Sequence, residues 1–233
     1  MNSQRERESP KSNEIPRRQF LKLSKDMVVG IGAGGVLTNI LWVKKGIAAI
    51  PVSEGYLLVD IKKCQGCLSC MLACSLVHEG DESLSLSRIQ VLQNSFQKWP
   101  DDIMIEQCRQ CVEPSCVEAC PEGALMADPE HGNVRRVCRE KCIGCMACIE
   151  ACPYLPSRTV WNFEEDHAQK CDLCAEAPFW VEKGGPEGKQ ACVEICSLGA
   201  IRFTNEIPQQ EGDEGYKVNL RGKNWRRLGY PID

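Results

Sequence analysis

The stretch Cys142-Ile143-Gly144-Cys145-Met146-Ala147-Cys148-Ile149-Glu150-Ala151-Cys152-Pro153 decides how this chain is read. Its cysteines follow the spacing C-x2-C-x2-C-x3-C, in which neighbouring thiols converge on a point inside the loop more readily than on each other. The same ladder stands earlier as Cys64, Cys67, Cys70 and Cys74. Two further groups vary it. Cys108, Cys111, Cys116 and Cys120 carry the insert Glu113-Pro114 and are followed by Pro121. Cys171 and Cys174 are separated by seventeen residues from Cys192 and Cys196. One cysteine, Cys138, stands outside the four groups, four positions before Cys142.

These groups dominate a chain of 233 residues with 17 cysteines, more than its 14 Phe, Trp and Tyr together. So few aromatics leave a core in need of another source of cohesion, which disulfides or metal can supply. The odd cysteine count and the short spacings favour metal. Net charge is −4, but residues 1–48 carry nine Lys/Arg against four Asp/Glu, leaving 19 against 28 in the remainder. That acidic body argues against a nucleic-acid partner, whose phosphates need a basic face.

Groups one and three resemble the ladder of bacterial ferredoxins, and group three has the proline as well. In that ladder three thiolates from a tight loop and a fourth from a distant group hold one 4Fe–4S cluster. Zinc is the competing reading, because C-x2-C pairs also form zinc knuckles. Zinc, however, requires two pairs per ion and no ladder of four. Short runs rich in Val and Ile flank the groups: Tyr56–Ile61, Asp102–Glu106, Val134–Val137 and Ala200–Phe203 read as strands. Ser69–Ser75 and Cys116–Ala119 read as short helices. Gly66 and Gly144 let the first and third loops wrap closely. The fold class expected is α+β, with interleaved bacterial ferredoxin-like 2×(4Fe–4S) domains, short elements and long cluster-binding loops.

Residues 55–205 resemble the four-cluster electron-transfer subunits of molybdenum or tungsten bis-pterin oxidoreductases, such as the small subunits of dimethyl sulfoxide reductase, polysulfide reductase and formate dehydrogenase. The resemblance rests on Cys142–Tyr154 and Lys170-Cys171-Asp172-Leu173-Cys174. Leu86–Ile89, Tyr154–Arg158 and Gly184–Gln190 look more like the iron–sulfur partners of tungsten aldehyde oxidoreductases. The resemblance implies four 4Fe–4S clusters on sixteen cysteines. One takes Cys64, Cys67, Cys70 and Cys196, and its neighbour Cys171, Cys174, Cys192 and Cys74. The third takes Cys108, Cys111, Cys116 and Cys152, and the last Cys142, Cys145, Cys148 and Cys120. Ser75 and Ser197 stand where this family often has proline. It further implies a Mo or W pterin catalytic subunit as one partner, and a membrane quinone-binding subunit or a cytochrome as the other. A free-standing polyferredoxin shuttle and a zinc-binding structural module are the alternative classes.

Three segments follow: residues 1–50 as a leader, 51–205 as the four-cluster domain and 206–233 as an extension with a possible partner contact. In the leader, Arg17-Arg18-Gln19-Phe20-Leu21-Lys22, an apolar run from Met27 to Val43, and Ala48-Ala49 make a signal layout. The arginine pair resembles a twin-arginine export signal, with Pro16 where Ser or Thr is usual. Export to the periplasmic side is expected, a membrane anchor being the alternative. No nucleophile–base pair is visible, so the chain reads as a carrier and not an enzyme. Cys138 is expected as a buried core residue, and His78 and His167 as surface groups. Lys170 reads either as a solvated lysine or as a charge beside a cluster. Trp99, Trp161 and Trp180 are expected mainly in the core. The loop Phe179–Gln190 is the best candidate for docking.

Overall fold

A computed structural model describes residues 49–99 and 101–229. The twin-arginine motif and the apolar run after it lie outside the described residues. Among the described residues no helix is long and apolar enough to cross a membrane.

Regular structure is sparse and built in pairs. Strands β1 (Tyr56–Val59) and β8 (Ile201–Thr204) are the first and last among the described residues, and they pair antiparallel with Tyr56 opposite Thr204. Three hairpin-like pairs lie between them: β2 (Gln90–Gln93) with β3 (Ile103–Glu106), β4 (Leu125–Asp128) with β5 (Val134–Val137), and β6 (Thr159–Asn162) with β7 (His167–Lys170). Helix α1 (Ser69–Glu79) packs on α4 (Ala191–Glu194), and α2 (Ser115–Glu118) on α3 (Ala147–Glu150). A fifth helix, α5, spans Lys223–Arg227. The groups are therefore interleaved: one and four meet through β1–β8 and α1–α4, while two and three meet through α2–α3 and the β4–β5 pair between them.

No element could stand alone. Two-stranded sheets of four residues and one-turn helices are marginal in water. They are held by cores built around cysteines: in the larger, Leu57, Val59, Met71, Ile89, Ile105, Leu173 and Ile201 pack among the side chains of Cys74, Cys108, Cys171 and Cys192, and in a smaller one Leu125 and Ala168 pack on Cys148. Among the described helices only α1 has real length. It continues past Cys74 to Glu79 and stops at Gly80, which takes the left-handed conformation and donates its N–H to Leu76 O at 2.9 Å. Ser75 explains that length: a proline there, as after Cys120 and Cys152, would break the helix. Instead its hydroxyl donates to Leu72 O and accepts from Ser83 N.

Residues 206–229 close the edge of β1 rather than hanging free. Val59 N donates to Tyr216 O and Val218 N to Val59 O, each at 2.8 Å. Arg221 pairs with Asp60 at 3.0 Å, and Lys63 lies over the Trp225 ring.

Three expectations need correction. His78 is buried, 5% exposed, not a surface group. Its Nε2 lies 2.9 Å from Oδ1 of Asp172, a residue far along the chain that the sequence neighbourhood of His78 could not reveal. His167 is likewise buried, at the start of β7. Cys138 is only partly buried, because the chain turns outward after β5 and its thiol donates to Glu140 at 3.2 Å. Lys170, read two ways from sequence, is 3% exposed. Trp161 and Trp180 pack partly buried against core clusters, whereas Trp99 is 40% exposed.

Asp172 ties three segments together: it accepts from His78, from Arg88 Nη1 at 2.9 Å and from Cys174 N at 3.0 Å. Burial alone would raise its pKa, but His78 and Arg88 overcome that and hold it well below the usual carboxylate range. Asp172→Asn leaves buried His78 without its carboxylate and Arg88 with Glu79 alone, so it should lose about 3–5 kcal/mol of stability. Denaturant unfolding of the intact protein against the variant measures this.

Candidate metal centres

The four cysteine loops share one backbone device. The residue before the second cysteine of each group is left-handed: Gly66 (φ 68), Gln110 (φ 48), Gly144 (φ 71) and Leu173 (φ 59). The turn aims an amide at the first sulfur: Gly66 N donates to Cys64 Sγ and Gln110 N to Cys108 Sγ, both at 3.4 Å. A β-carbon in this conformation costs about 1–3 kcal/mol. Gln110 offsets the strain with its side chain, which donates to Cys171 O at 2.8 Å and accepts from Arg135 N at 2.6 Å. The last cysteine of a group also receives an amide from the chain beyond it: Leu125 N to Cys120, Arg158 N to Cys152 and Ala200 N to Cys196.

The thiols gather in four quartets drawn from different groups. Cys64, Cys67, Cys70 and Cys196 line one cavity, together with Leu68, Val91, Ile105 and Ile201. Cys120, Cys142, Cys145 and Cys148 line a second. Cys108, Cys111, Cys116 and Cys152 line a third. Cys74, Cys171, Cys174 and Cys192 are all buried, and the charge on each of the other three bears on Cys192. Cys138 joins none of the three cavities.

The donor chemistry fits a cluster better than an ion. All seventeen cysteines are free thiols. Tetrahedral zinc, with Zn–S of about 2.3 Å, would draw four sulfurs into near contact. Among the described residues no three Cys, His or carboxylate groups close around a single ion. Three of the quartets ring cavities instead. Inside them burial, and then the neighbouring thiolates, push Cys70 up to about 12 and Cys148 up to about 11. Burial pushes Cys116 up to about 12 despite Lys170. Thiols so placed stay protonated at neutral pH unless a positive core takes the proton's place, as metal does.

The reverse mismatch lies just outside the third quartet. Arg135 and Lys170 are buried cations that, among the described residues, have no carboxylate within ion-pairing distance. Lys170 Nζ donates to Arg135 O at 2.8 Å and Cys171 O at 3.3 Å, and Arg135 reaches Pro51 O, Asn133 O and Cys111 O. Nε of Arg135 and Nε of Arg158 are buried without any partner. Buried charge is normally paired. An anionic thiolate-bound core in this cavity would pair it.

Comparison with known proteins agrees. The 4Fe–4S dicluster domain family matches residues 101–206, and a second dicluster domain matches residues 56–121. An iron–sulfur protein of Rhodospirillum rubrum is 31% identical over 76% of this chain and 93% of its own length. The polyferredoxin-like subunit of an aliphatic sulfonate oxidoreductase of Pyrococcus furiosus is 38% identical over 60% of this chain and 70% of its own. The iron–sulfur subunit of the nitrate-inducible formate dehydrogenase of Escherichia coli is 29% identical over 74% of this chain, which spans only 61% of that subunit. The chain belongs to the 4Fe–4S dicluster iron–sulfur family and is an electron-transfer protein, a carrier and not itself a catalyst.

Proposed function

We propose that the chain relays single electrons through four 4Fe–4S clusters, as a subunit between a Mo or W pterin catalytic partner and a quinone- or cytochrome-linked one. The observation that carries this reading is the gathering of sixteen cysteines into four quartets across the four groups. The cluster ligands are Cys64, Cys67, Cys70 and Cys196; Cys74, Cys171, Cys174 and Cys192; Cys108, Cys111, Cys116 and Cys152; and Cys120, Cys142, Cys145 and Cys148. When bound, the clusters supply one-electron redox chemistry; the chain supplies spacing, burial and charge.

Side-chain proximity supports an order along the relay. Cys70 and Cys74 on α1 act on Cys192 of α4, just before Cys196, which joins the first two quartets. The charge of Cys108 bears on Cys171, and Lys170 lies between Cys171, Cys108 and Cys116, which joins the second to the third. Cys116 and Cys120 border α2, and Cys148 and Cys152 border α3, which joins the third to the fourth. Cys67 and Cys145 are the two exposed cysteines of the set, one in each terminal quartet. Entry and exit of electrons at opposite ends follows from that exposure. Val181 at 94% and Phe179 at 59% exposure support the loop after Pro178 as one docking surface. The twin-arginine motif supports an exported protein, since that route carries chains already folded around their cofactors.

Chain isolated without oxygen should contain about sixteen irons and sixteen acid-labile sulfides, four of each per cluster. Its brown absorbance should bleach with dithionite. A colourless, iron-free but folded chain overturns the reading. The interleaving has its own test. Cys196→Ser should perturb the same electron-paramagnetic-resonance species as Cys70→Ser, and Cys74→Ser the species perturbed by Cys171→Ser. If Cys74→Ser and Cys70→Ser perturb one species, each group holds its own cluster. Cys138→Ser should leave iron content and all four signals unchanged. Co-isolation with a large pterin-bearing subunit from the native source distinguishes the complexed relay from a free shuttle.

A further inference from the structure

The cavities differ sharply in charge. The one ringed by Cys64, Cys67, Cys70 and Cys196 is lined by no charged side chain. The one ringed by Cys120, Cys142, Cys145 and Cys148 is lined by a single charge, the carboxylate of Glu122. The one ringed by Cys108, Cys111, Cys116 and Cys152 is lined by four cations: Arg109, Arg135, Arg158 and Lys170. Two of these are neutralised. Arg109 pairs with Asp213 and stacks on Tyr154 at 4.1 Å, and Arg158 pairs with Glu106. The other two, Arg135 and Lys170, pair with no carboxylate among the described residues: Arg135 reaches backbone carbonyls, and Lys170 reaches backbone carbonyls and the Cys108 side chain. The remaining quartet has Asp172 beside Cys171, held by His78 and Arg88, so its surroundings carry charge of both signs.

Resting on the four-cluster reading, we infer that Lys170 and Arg135 make the third site, Cys108–Cys111–Cys116–Cys152, the most readily reduced of the four. Each electron accepted from a reduced partner adds one negative charge to the cavity; no bond forms or breaks and no proton has to move. Two fixed cations buried beside the thiolates stabilise that added charge. They do so without screening, because water and salt do not reach them. Net charge and burial around a cluster are among the levers that set its potential. The terminal sites lack such cations, so electrons entering at either end fall towards an inner site and must climb to leave it. Lys170 and Arg135 are positioning groups: they touch no ligand sulfur as ligands, and they act through the field they impose.

The test uses the full chain with its clusters, titrated potentiometrically and followed by electron paramagnetic resonance. Iron content is measured first: a value well below sixteen per chain refutes the four-cluster reading itself. With sixteen irons present, Lys170→Met should make the most positive of the four steps at least tenfold less favourable, ~59 mV for one electron. The terminal steps should move far less. Lys170→Arg should restore the value. No change in the most positive step, or an equal shift of all four, overturns the inference. If Lys170→Met does not assemble, Cys116→Ser decides: the most positive step should be lost or displaced, and its persistence unaltered overturns the assignment.

Discussion

Four thiols gathered in one place cannot all be charged unless something positive sits among them, and the architecture depends on that constraint. The polypeptide by itself leaves two mismatches. Cysteines such as Cys70 and Cys148 are raised by burial and by one another, far from the state in which they could ligate anything. Outside the third quartet, Arg135 and Lys170 are buried without a carboxylate. An iron–sulfur core answers both, presenting positive iron to the thiolates and a net negative charge to the cations beyond them. Folding and cofactor binding are then one equilibrium. The shortness of the secondary structure fits this: four-residue strands and one-turn helices need a centre to hold them.

The sequence was most legible where the centre imposes its own geometry. The four groups, and Gly66 and Gly144 in their loops, follow from what a cluster requires of a loop. Strands β1, β3, β5 and β8 were legible because each carries Val, Ile or aromatic residues beside a cysteine group. The partners β2, β4, β6 and β7 were not. His167-Ala168-Gln169-Lys170 carries no apolar alternation, yet every residue of β7 is buried. Two of its polar side chains bond far along the chain: Gln169 donates to Leu86 O and Lys170 to Arg135 O. His78 was misread for the same reason, since Asp172 lies on a different cysteine group. Local pattern reports burial only when burial is apolar; here much of it is polar and paired over long sequence separations. Gln110 shows the limit most plainly. A lone glutamine between two cysteines gives no signal in sequence, but it is wholly buried and links the second loop to the fourth.

Interleaving has a consequence for assembly. The first quartet takes three thiols before residue 71 and its fourth from Cys196, and β1 finds its partner only in β8. The chain cannot close that half until nearly all of it is made, whereas the quartets built from groups two and three lie within residues 108–152. That inner half is the more local structure, and its contacts close shorter loops at lower entropic cost. The late step is the docking of the chain ends, after which residues 213–221 bond across β1 and Asp60 and seal the edge.

The same geometry separates protection from contact. Five of the eight inner thiols, Cys74, Cys108, Cys171, Cys174 and Cys192, are buried and the other three are partly buried, and the charges Asp172, Arg135 and Lys170 that hold their loops are buried with them. The exposed ones, Cys67 and Cys145, lie in the two terminal quartets, beside half-exposed or exposed apolar residues such as Met146 and Ile143. A carrier that passes electrons to other proteins must bring its outermost centres close to the surface while keeping the inner ones from solvent. The interleaved fold meets both demands with one arrangement: the loops of groups two and four are joined through Gln110 and Cys171, while the loops of groups one and three each carry an exposed cysteine.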